Sequence, residues 1–269
     1  MSRLAVIGNP VAHSRSPDIH GAFALQAGVN IRYVKILAPL DGFAESVGAF
    51  VGDGGHGFNV TVPFKHEAFE LCDETSAIAR QSETVNTVTI LDSKRLKGDN
   101  TDGVGLVRDL TGNLGWRISG RRILLVGAGG AVGGILPDLI GAGPASIHIF
   151  NRTHARAEAL ATRFGEPVQA FQYEELGAAY DVVISGTSAG LSGERVALPA
   201  SVVGARTRCY DMIYSGDITP FNQWAMSLGC AECSDGLGML VEQAAAAFDI
   251  WFDFKPETRL VIRALRAAL

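Results

Sequence analysis

Four groups of side chains in this 269-residue chain have the types and spacing to do chemistry. The first is a glycine cluster, Gly127, Gly129, Gly130, Gly133 and Gly134, which follows an apolar run of strand length at residues 122–126. A glycine turn that opens a helix lets backbone N–H groups approach a pyrophosphate, where the helix N-terminus favours negative charge. The second group ends the next apolar run, residues 146–150: Asn151, Arg152 and Thr153, with Arg156 one helical turn further on. An NAD site usually places Asp or Glu there for the ribose 2′-hydroxyl. Guanidinium groups and a hydroxyl suit a 2′-phosphate instead, so the cofactor reads as NADP. A basic turn at a strand end is ordinary by itself, but here the glycines, the crossover length and the basic strand end agree.

The third group is Ser14 and Ser16, two hydroxyls just before Pro17, which marks the first turn of a helix. Such a pair either holds a carboxylate or caps the helix, for which serine is a preferred residue. His13 in the same turn has no evident partner. The fourth group centres on Lys65. Asn59 and Thr61 alternate along a strand near its end, where ligands of open α/β sheets bind, and Lys65 follows within a turn after Pro63. Lys65 is either an acid/base group or a solvated surface lysine. Asn86 and the cluster from Asp99 to Asp102 bracket a hairpin whose pairing brings both ends to one place. Asp102 on its own would be an ordinary N-cap.

The elements that position these groups follow from periodicity. Strand, glycine turn, helix and strand between residues 122 and 150 make one right-handed crossover unit. Val132 stands where a third glycine is usual, and Pro137 inside the helix should kink or loosen a turn. Residues 4–8, 31–37 and 57–61 read as strands, with helices near 17–27 and 42–51, so the N-terminal part is itself an open α/β sheet. Residues 67–80 read as one helical region, 87–91 and 95–98 as hairpin strands, and 181–185 and 208–213 as further strands of the cofactor sheet. Residues 219–228 read as a helix. From residue 237 a strongly apolar helix begins, buried over much of its circumference, with Gln243 on a stripe with Met239, Ala247 and Ile250. A buried amide there needs a partner, which is either a substrate hydroxyl or a group of the protein itself. A closing helix is expected over 257–269.

A formal net charge of -5 and a pI near 5.7 argue against a general nucleic-acid surface. No segment has transmembrane length, and MSRLAVIGNP leads into an apolar strand rather than a signal peptide, so the cytoplasm is the expected compartment. Four cysteines are too few for a disulfide scaffold. Cys230 and Cys233 form a C-x-x-C, read as buried thiols in a short strand rather than a redox or metal site, and no metal is expected. There is no internal repeat.

The ordered pieces GNPVAHSRSP, NVTVPFK, VNT, GDNTDG, VGAGGA, NRTHAR, YDMIY and DGLGMLVEQAA resemble the shikimate dehydrogenase family over nearly the whole chain. The resemblance implies an NADP-dependent enzyme that reversibly reduces the ring ketone of 3-dehydroshikimate. It implies an α/β fold: an open α/β substrate domain formed by residues 1–101 and 237–269, and a Rossmann-type, doubly wound NADP domain at 102–236. On this view Ser14 and Ser16 hold the substrate carboxylate with Tyr214. Asn59, Thr61, Asn86 and Gln243 bind the substrate with Lys65 and Asp102, the catalytic pair. Gly127, Ala128, Gly129, Gly130, Ala131, Asn151, Arg152, Thr153, Arg156, Thr187, Met212 and Gly236 bind the cofactor. The chain departs from the family at Ser185, Gly186, Thr187 and Ser188, where an Asn-Ala-Thr-Ser run is common, and at Glu83, which adds a charge near Asn86 and Lys65. A monomer or homodimer is expected. The alternatives are a quinate/shikimate dehydrogenase of relaxed choice and a non-catalytic NADP-binding sensor.

Overall fold

The computed structural model describes residues 1–187 and 196–269. Ser188, one of the departures noted above, lies outside the described residues. The first part of the chain alternates as β1 (Ser2–Gly8), α1 (Ser16–Ala27), β2 (Ile31–Leu37), α2 (Phe43–Gly52) and β3 (Gly57–Val60). It continues through α3 (Lys65–Leu71), β4 (Glu74–Thr75), α4 (Ala77–Ser82), β5 (Thr87–Ile90) and β6 (Leu96–Asp99). These strands form one sheet in the order β2-β1-β3-β5-β6-β4, parallel across β2, β1 and β3 and antiparallel from β3 through β5 to β6.

The single helical region expected at 67–80 is two helices. The chain extends at Cys72, Asp73 accepts a hydrogen bond from the Leu96 backbone N–H, and β4 adds to β6. Ser76 then starts the second helix, its hydroxyl accepting from the Ala79 N–H. Polar side chains in the run Asp73 to Ser76 compete with the helix for backbone groups, and two elements result.

The chain crosses on α5 (Asp102–Arg108), which runs on through a π-helical turn at Asp109–Asn113. The second sheet comprises β7 (Arg122–Val126), β8 (Ser146–Phe150), β9 (Val168–Phe171), β10 (Val182–Ser185), β11 (Arg208–Asp211) and β12 (Glu232–Asp235). Its order is β12-β11-β10-β7-β8-β9 and every pairing is parallel. That is the doubly wound arrangement, with its topological switch point between β7 and β10. The near-continuous apolar runs of β7 and β8 suit strands covered on both faces. Helices α6 (Gly130–Gly141), α7 (His154–Phe164) and α8 (Pro220–Ser227) follow β7, β8 and β11. Helix α6 runs through Pro137 to Gly141, and Val132, in place of the usual glycine, is buried in the core beneath the sheet.

The chain then returns on α9 (Leu237–Phe252) and α10 (Arg259–Ala267). Apolar on most sides, α9 packs against α5 and against α1, where Ile19, Phe23, Leu237, Val241, Ala244 and Phe248 share one core. Trp251 also reaches the first sheet, its indole N–H donating to the Val88 carbonyl at 3.2 Å. Among the described residues no helix is long and apolar enough to cross a membrane, and no His, Cys, Asp and Glu cluster is arranged to hold a metal ion.

Candidate active site

One cleft of about 930 Å³ opens between the C-terminal ends of the strands of both sheets. Helix α3 starts at Lys65 and α5 at Asp102, and the two ends meet so that the ammonium lies 2.5 Å from Oδ2 of the carboxylate. Both side chains are largely withdrawn from solvent, at 15% and 7% exposure, so the solvated-lysine alternative fails. Asp102 is the first residue of its helix and Thr101 the N-cap, so capping is not what the carboxylate does.

Oδ1 of Asp102 is also held. The Asn86 amide donates to it at 2.9 Å, to the Thr101 hydroxyl at 3.0 Å and to Oε1 of Gln243 at 3.2 Å. The side-chain Oδ1 of Asn86 accepts from the Thr101 N–H and the Thr87 hydroxyl, both at 2.9 Å. The hairpin of β5 and β6 thus brings Asn86 to Asp102 as its antiparallel pairing requires. The Gln243 amide has its own donor satisfied by the Leu240 carbonyl at 2.8 Å, so protein groups partner this side chain while it also lines the cleft.

Asn59 faces the cleft with its amide donating to the backbone carbonyl of Asn86 and the Thr87 hydroxyl, and its oxygen accepts from the Tyr33 hydroxyl at 2.7 Å. Thr61 lines the wall beside it. Ser14 and Ser16 are 3.1 Å apart, hydroxyl to hydroxyl, at the start of α1, and the N-cap residue between them is Arg15, whose side chain makes no capping bond. Tyr214 closes this end; burial pushes its phenol pKa up, with the Arg15 charge opposing.

On the other wall lie Gly127, Ala128, Gly129, Gly130, Ala131, Asn151, Arg152, Arg156, Thr187, Met212 and Gly236. Gly127 has φ +111°, which a residue with a Cβ rarely adopts, and its N–H is taken by the Phe150 carbonyl, so the turn bends away from β7 as a dinucleotide needs. A Cβ at Gly129 would meet nothing within 4 Å. Arg152 and Arg156 are exposed, and no ion pair involves either among the described residues. An open glycine turn and two free guanidinium groups fit a dinucleotide with a 2′-phosphate.

Thr153 is the one expected site residue outside the cleft lining: it is exposed as the N-cap of α7, and its carbonyl accepts from the Asn151 amide at 2.8 Å. Ser185 is buried at the end of β10 and does not line the cleft, so that departure lies inward. Glu83 does not leave its charge beside Lys65. It pairs with Arg163 of α7 at 2.5 Å, and a second nitrogen of Arg163 donates to the Ser82 carbonyl, which ties the edge of the first sheet to the second.

Sequence reasoning missed Thr84, which accepts from the Asn100 amide at 2.7 Å while Asn100 accepts from the Asp102 N–H at 2.9 Å. Its place in the run ETVNT, two residues before Asn86, is the only local signal. Arg15, between the two serines, and Leu240, one turn before Gln243, line the cleft as well.

An all-parallel sheet with a glycine turn at its switch point, facing a second sheet that carries a lysine-carboxylate pair, defines a Rossmann-type dinucleotide-dependent dehydrogenase. Family models agree: residues 6–88 match the shikimate dehydrogenase substrate binding domain, 109–195 shikimate / quinate 5-dehydrogenase, and 236–266 the shikimate 5′-dehydrogenase C-terminal domain. The chain is 52% identical over 268 residues to shikimate dehydrogenase (NADP(+)) of Hahella chejuensis, covering 99% of each. Among solved structures it is similar to an Ael1 enzyme from Pseudomonas putida, with 42% identity, a TM-score of 0.92 and 98% of each chain covered. It is also similar to shikimate 5-dehydrogenase from Thermus thermophilus in complex with NADP(H) and shikimate, with 32% identity, a TM-score of 0.90 and all of both chains covered. The chain belongs to the shikimate dehydrogenase family.

Proposed function

We propose that this chain catalyses the reversible, NADPH-dependent reduction of 3-dehydroshikimate to shikimate, a step of aromatic amino acid biosynthesis. The observation that carries the reading is the 2.5 Å pair of Lys65 and Asp102 in the same cleft as the glycine turn and the two free guanidinium groups. NADPH, when bound, supplies the hydride.

The protein's share is positioning and proton handling. Backbone N–H groups from Ala128 to Ala131 hold the pyrophosphate at the start of α6, and Asn151, Arg152 and Arg156 hold the 2′-phosphate, with Thr153 beside them at the start of α7. Thr187, Met212 and Gly236 flank the nicotinamide end. The hydroxyls of Ser14, Ser16 and Tyr214 donate to the substrate carboxylate. Asn59, Thr61, Asn86 and Gln243 shape the ring site. Lys65 delivers a proton from Nζ to the ketone oxygen as it becomes a hydroxyl, and Asp102 keeps the ammonium on that line. In the oxidising direction Lys65 takes the proton back.

Residues 1–101 and 237–269 act as the substrate domain and 102–236 as the NADP domain, so the reaction takes place between them, where closure excludes water. The protein works in the cytoplasm as a monomer or homodimer, states that light scattering separates.

The test is a set of paired rates with shikimate and quinate against NADP and NAD, followed by the near-ultraviolet absorbance of the reduced nicotinamide. Turnover of shikimate with NADP is expected to dominate. Preference for quinate, preference for NAD or binding without turnover overturns the reading.

A further inference from the structure

Three of the chain's four cysteines converge on the flank of the second sheet, away from the cleft. Cys209 of β11 is the register partner of Cys233 of the edge strand β12, and it is fully buried. Cys230 lies in the turn that leads into β12, its sulfur 3.1 Å from that of Cys233. Both of these cysteines are half-buried, and Ala231 and Glu232 between them are exposed, so a small reagent reaches the pair from solvent. A disulfide places its sulfurs about 2.05 Å apart, so the two need to close by about 1 Å. No side chain stands between them. The fourth, Cys72, is partly buried against the first sheet's core.

We propose that Cys230 and Cys233 form a reversible dithiol-disulfide site, oxidised by a low-molecular-weight disulfide, with Cys233 as the attacking sulfur and Cys230 as the resolving one. The environment distinguishes the two. The neighbouring Cys209 thiol holds the Cys233 thiol down against the opposing effect of its burial, whereas burial pushes the Cys230 thiol up. Of the two, Cys233 therefore carries the larger share of thiolate, which is the nucleophile.

The chemistry proceeds in two exchanges. The Cys233 thiolate attacks one sulfur of RSSR, a bond forms between them, the S–S bond of the reagent breaks, and RS⁻ leaves and takes a proton from solvent. Cys230 then loses its proton to solvent and attacks the Cys233 sulfur of the mixed disulfide, and the second RS⁻ leaves and is protonated. Two protein thiols give up two electrons and two protons, and RSSR becomes two RSH. In a compartment rich in reduced thiols the pair stays open, and it closes when the thiol pool is oxidised.

The test uses the full chain, equilibrated while folded and without denaturant with glutathione and its disulfide at graded ratios, then unfolded and alkylated and read by intact mass and peptide mapping. Two of the four thiols are expected to become protected, in a single peptide linking Cys230 to Cys233, and dithiothreitol is expected to restore all four. Cys230→Ser is expected to stop at the glutathione adduct on Cys233, and Cys233→Ser to form neither bridge nor adduct. Neither cysteine touches the cleft, so both reduced variants should keep the parent kcat, which shows that they are folded. Four freely alkylated thiols in the parent, a bridge that includes Cys209, oxidation only after unfolding, or an adduct on Cys230 in place of Cys233 overturns the proposal.

Discussion

A side-chain carbon at Gly134 would lie 3.3 Å from Oδ2 of Asp102, the oxygen that faces Lys65. The helix that begins at the glycine turn is therefore laid directly on the carboxylate of the other sheet's ion pair. A methyl there would also lie 2.9 Å from the Asn100 amide and 3.3 Å from the Thr84 hydroxyl, the two groups that fix the backbone at Asp102.

Gly134→Ala is thus expected to displace Asp102 by a few tenths of an ångström and to lower kcat by about 10- to 100-fold, the scale on which misplaced reacting groups fail. Gly133→Ala is the control, because its methyl would meet Leu160 at 3.6 Å and the Ser82 carbonyl at 3.9 Å, both ordinary contacts. Steady-state rates of both variants check the contrast; equal rates for the two would refute it.

Lys65→Ala is expected to cut kcat by about 10² to 10⁴, the usual share of a positioned proton donor. Asp102→Asn removes the charge that Lys65 meets and leaves the Asn86 amide without its acceptor's charge, and a loss of similar scale is expected. Because the two groups act as a unit, the double variant should be little worse than either single one. Near-normal kcat in either single variant contradicts the assigned roles.

Arg152→Ala and Arg156→Ala each remove one charge-assisted bond to the 2′-phosphate, a bond worth about 1.5–3 kcal/mol or roughly 10- to 100-fold in affinity. The KM for NADP should rise by that factor while the KM for NAD stays level. A parallel rise for both cofactors would place the guanidinium groups elsewhere.

His20 gives a pH prediction. It is fully buried, stacked on Tyr33 with ring centroids 4.7 Å apart, and neither ring nitrogen has a partner at hydrogen-bond geometry. Burial pushes its pKa down to about 3, against a smaller opposing effect of the nearby Asn59 side chain. The folded state then binds no proton at His20 between the ordinary histidine value and about 3, whereas the unfolded chain does. Stability from this group is complete above pH 6.5 and falls steadily as pH drops toward 3. His20→Phe keeps the ring and removes the titration, so urea unfolding of the variant should weaken less between pH 7 and pH 5, and identical slopes would exclude the effect.

Much of this was legible in the sequence because the signals are local. A strand, a glycine turn and a basic strand end sit within one crossover unit, and the hairpin from Thr87 to Asp99 carries Asn86 to Asp102 through its own pairing. Contacts that join distant elements were not legible. Glu83 reads as an extra charge near Lys65 until α7 arrives with Arg163, and nothing near residue 83 announces a partner so far along the chain. The same holds for Thr84 and Asn100, whose meeting with Gly134 depends on how the second sheet's helix packs on the first sheet's loops. Ser185 stands apart from the common family run in sequence, and its burial at the end of β10, out of the cleft lining, is a matter of packing that the local run does not announce.

The shared core of α1 and α9 bears on how the protein is made. A nascent chain emerging from the ribosome presents Ile19 and Phe23 early, yet the residues that cover them, Leu237 through Phe248, come last. The middle of the polypeptide can bury its own strands while the opening segment still waits, greasy side exposed, for its lid to be synthesised. Translation that stalls before residue 237 therefore strands an adhesive surface, and any shielding by a chaperone is needed most in that interval.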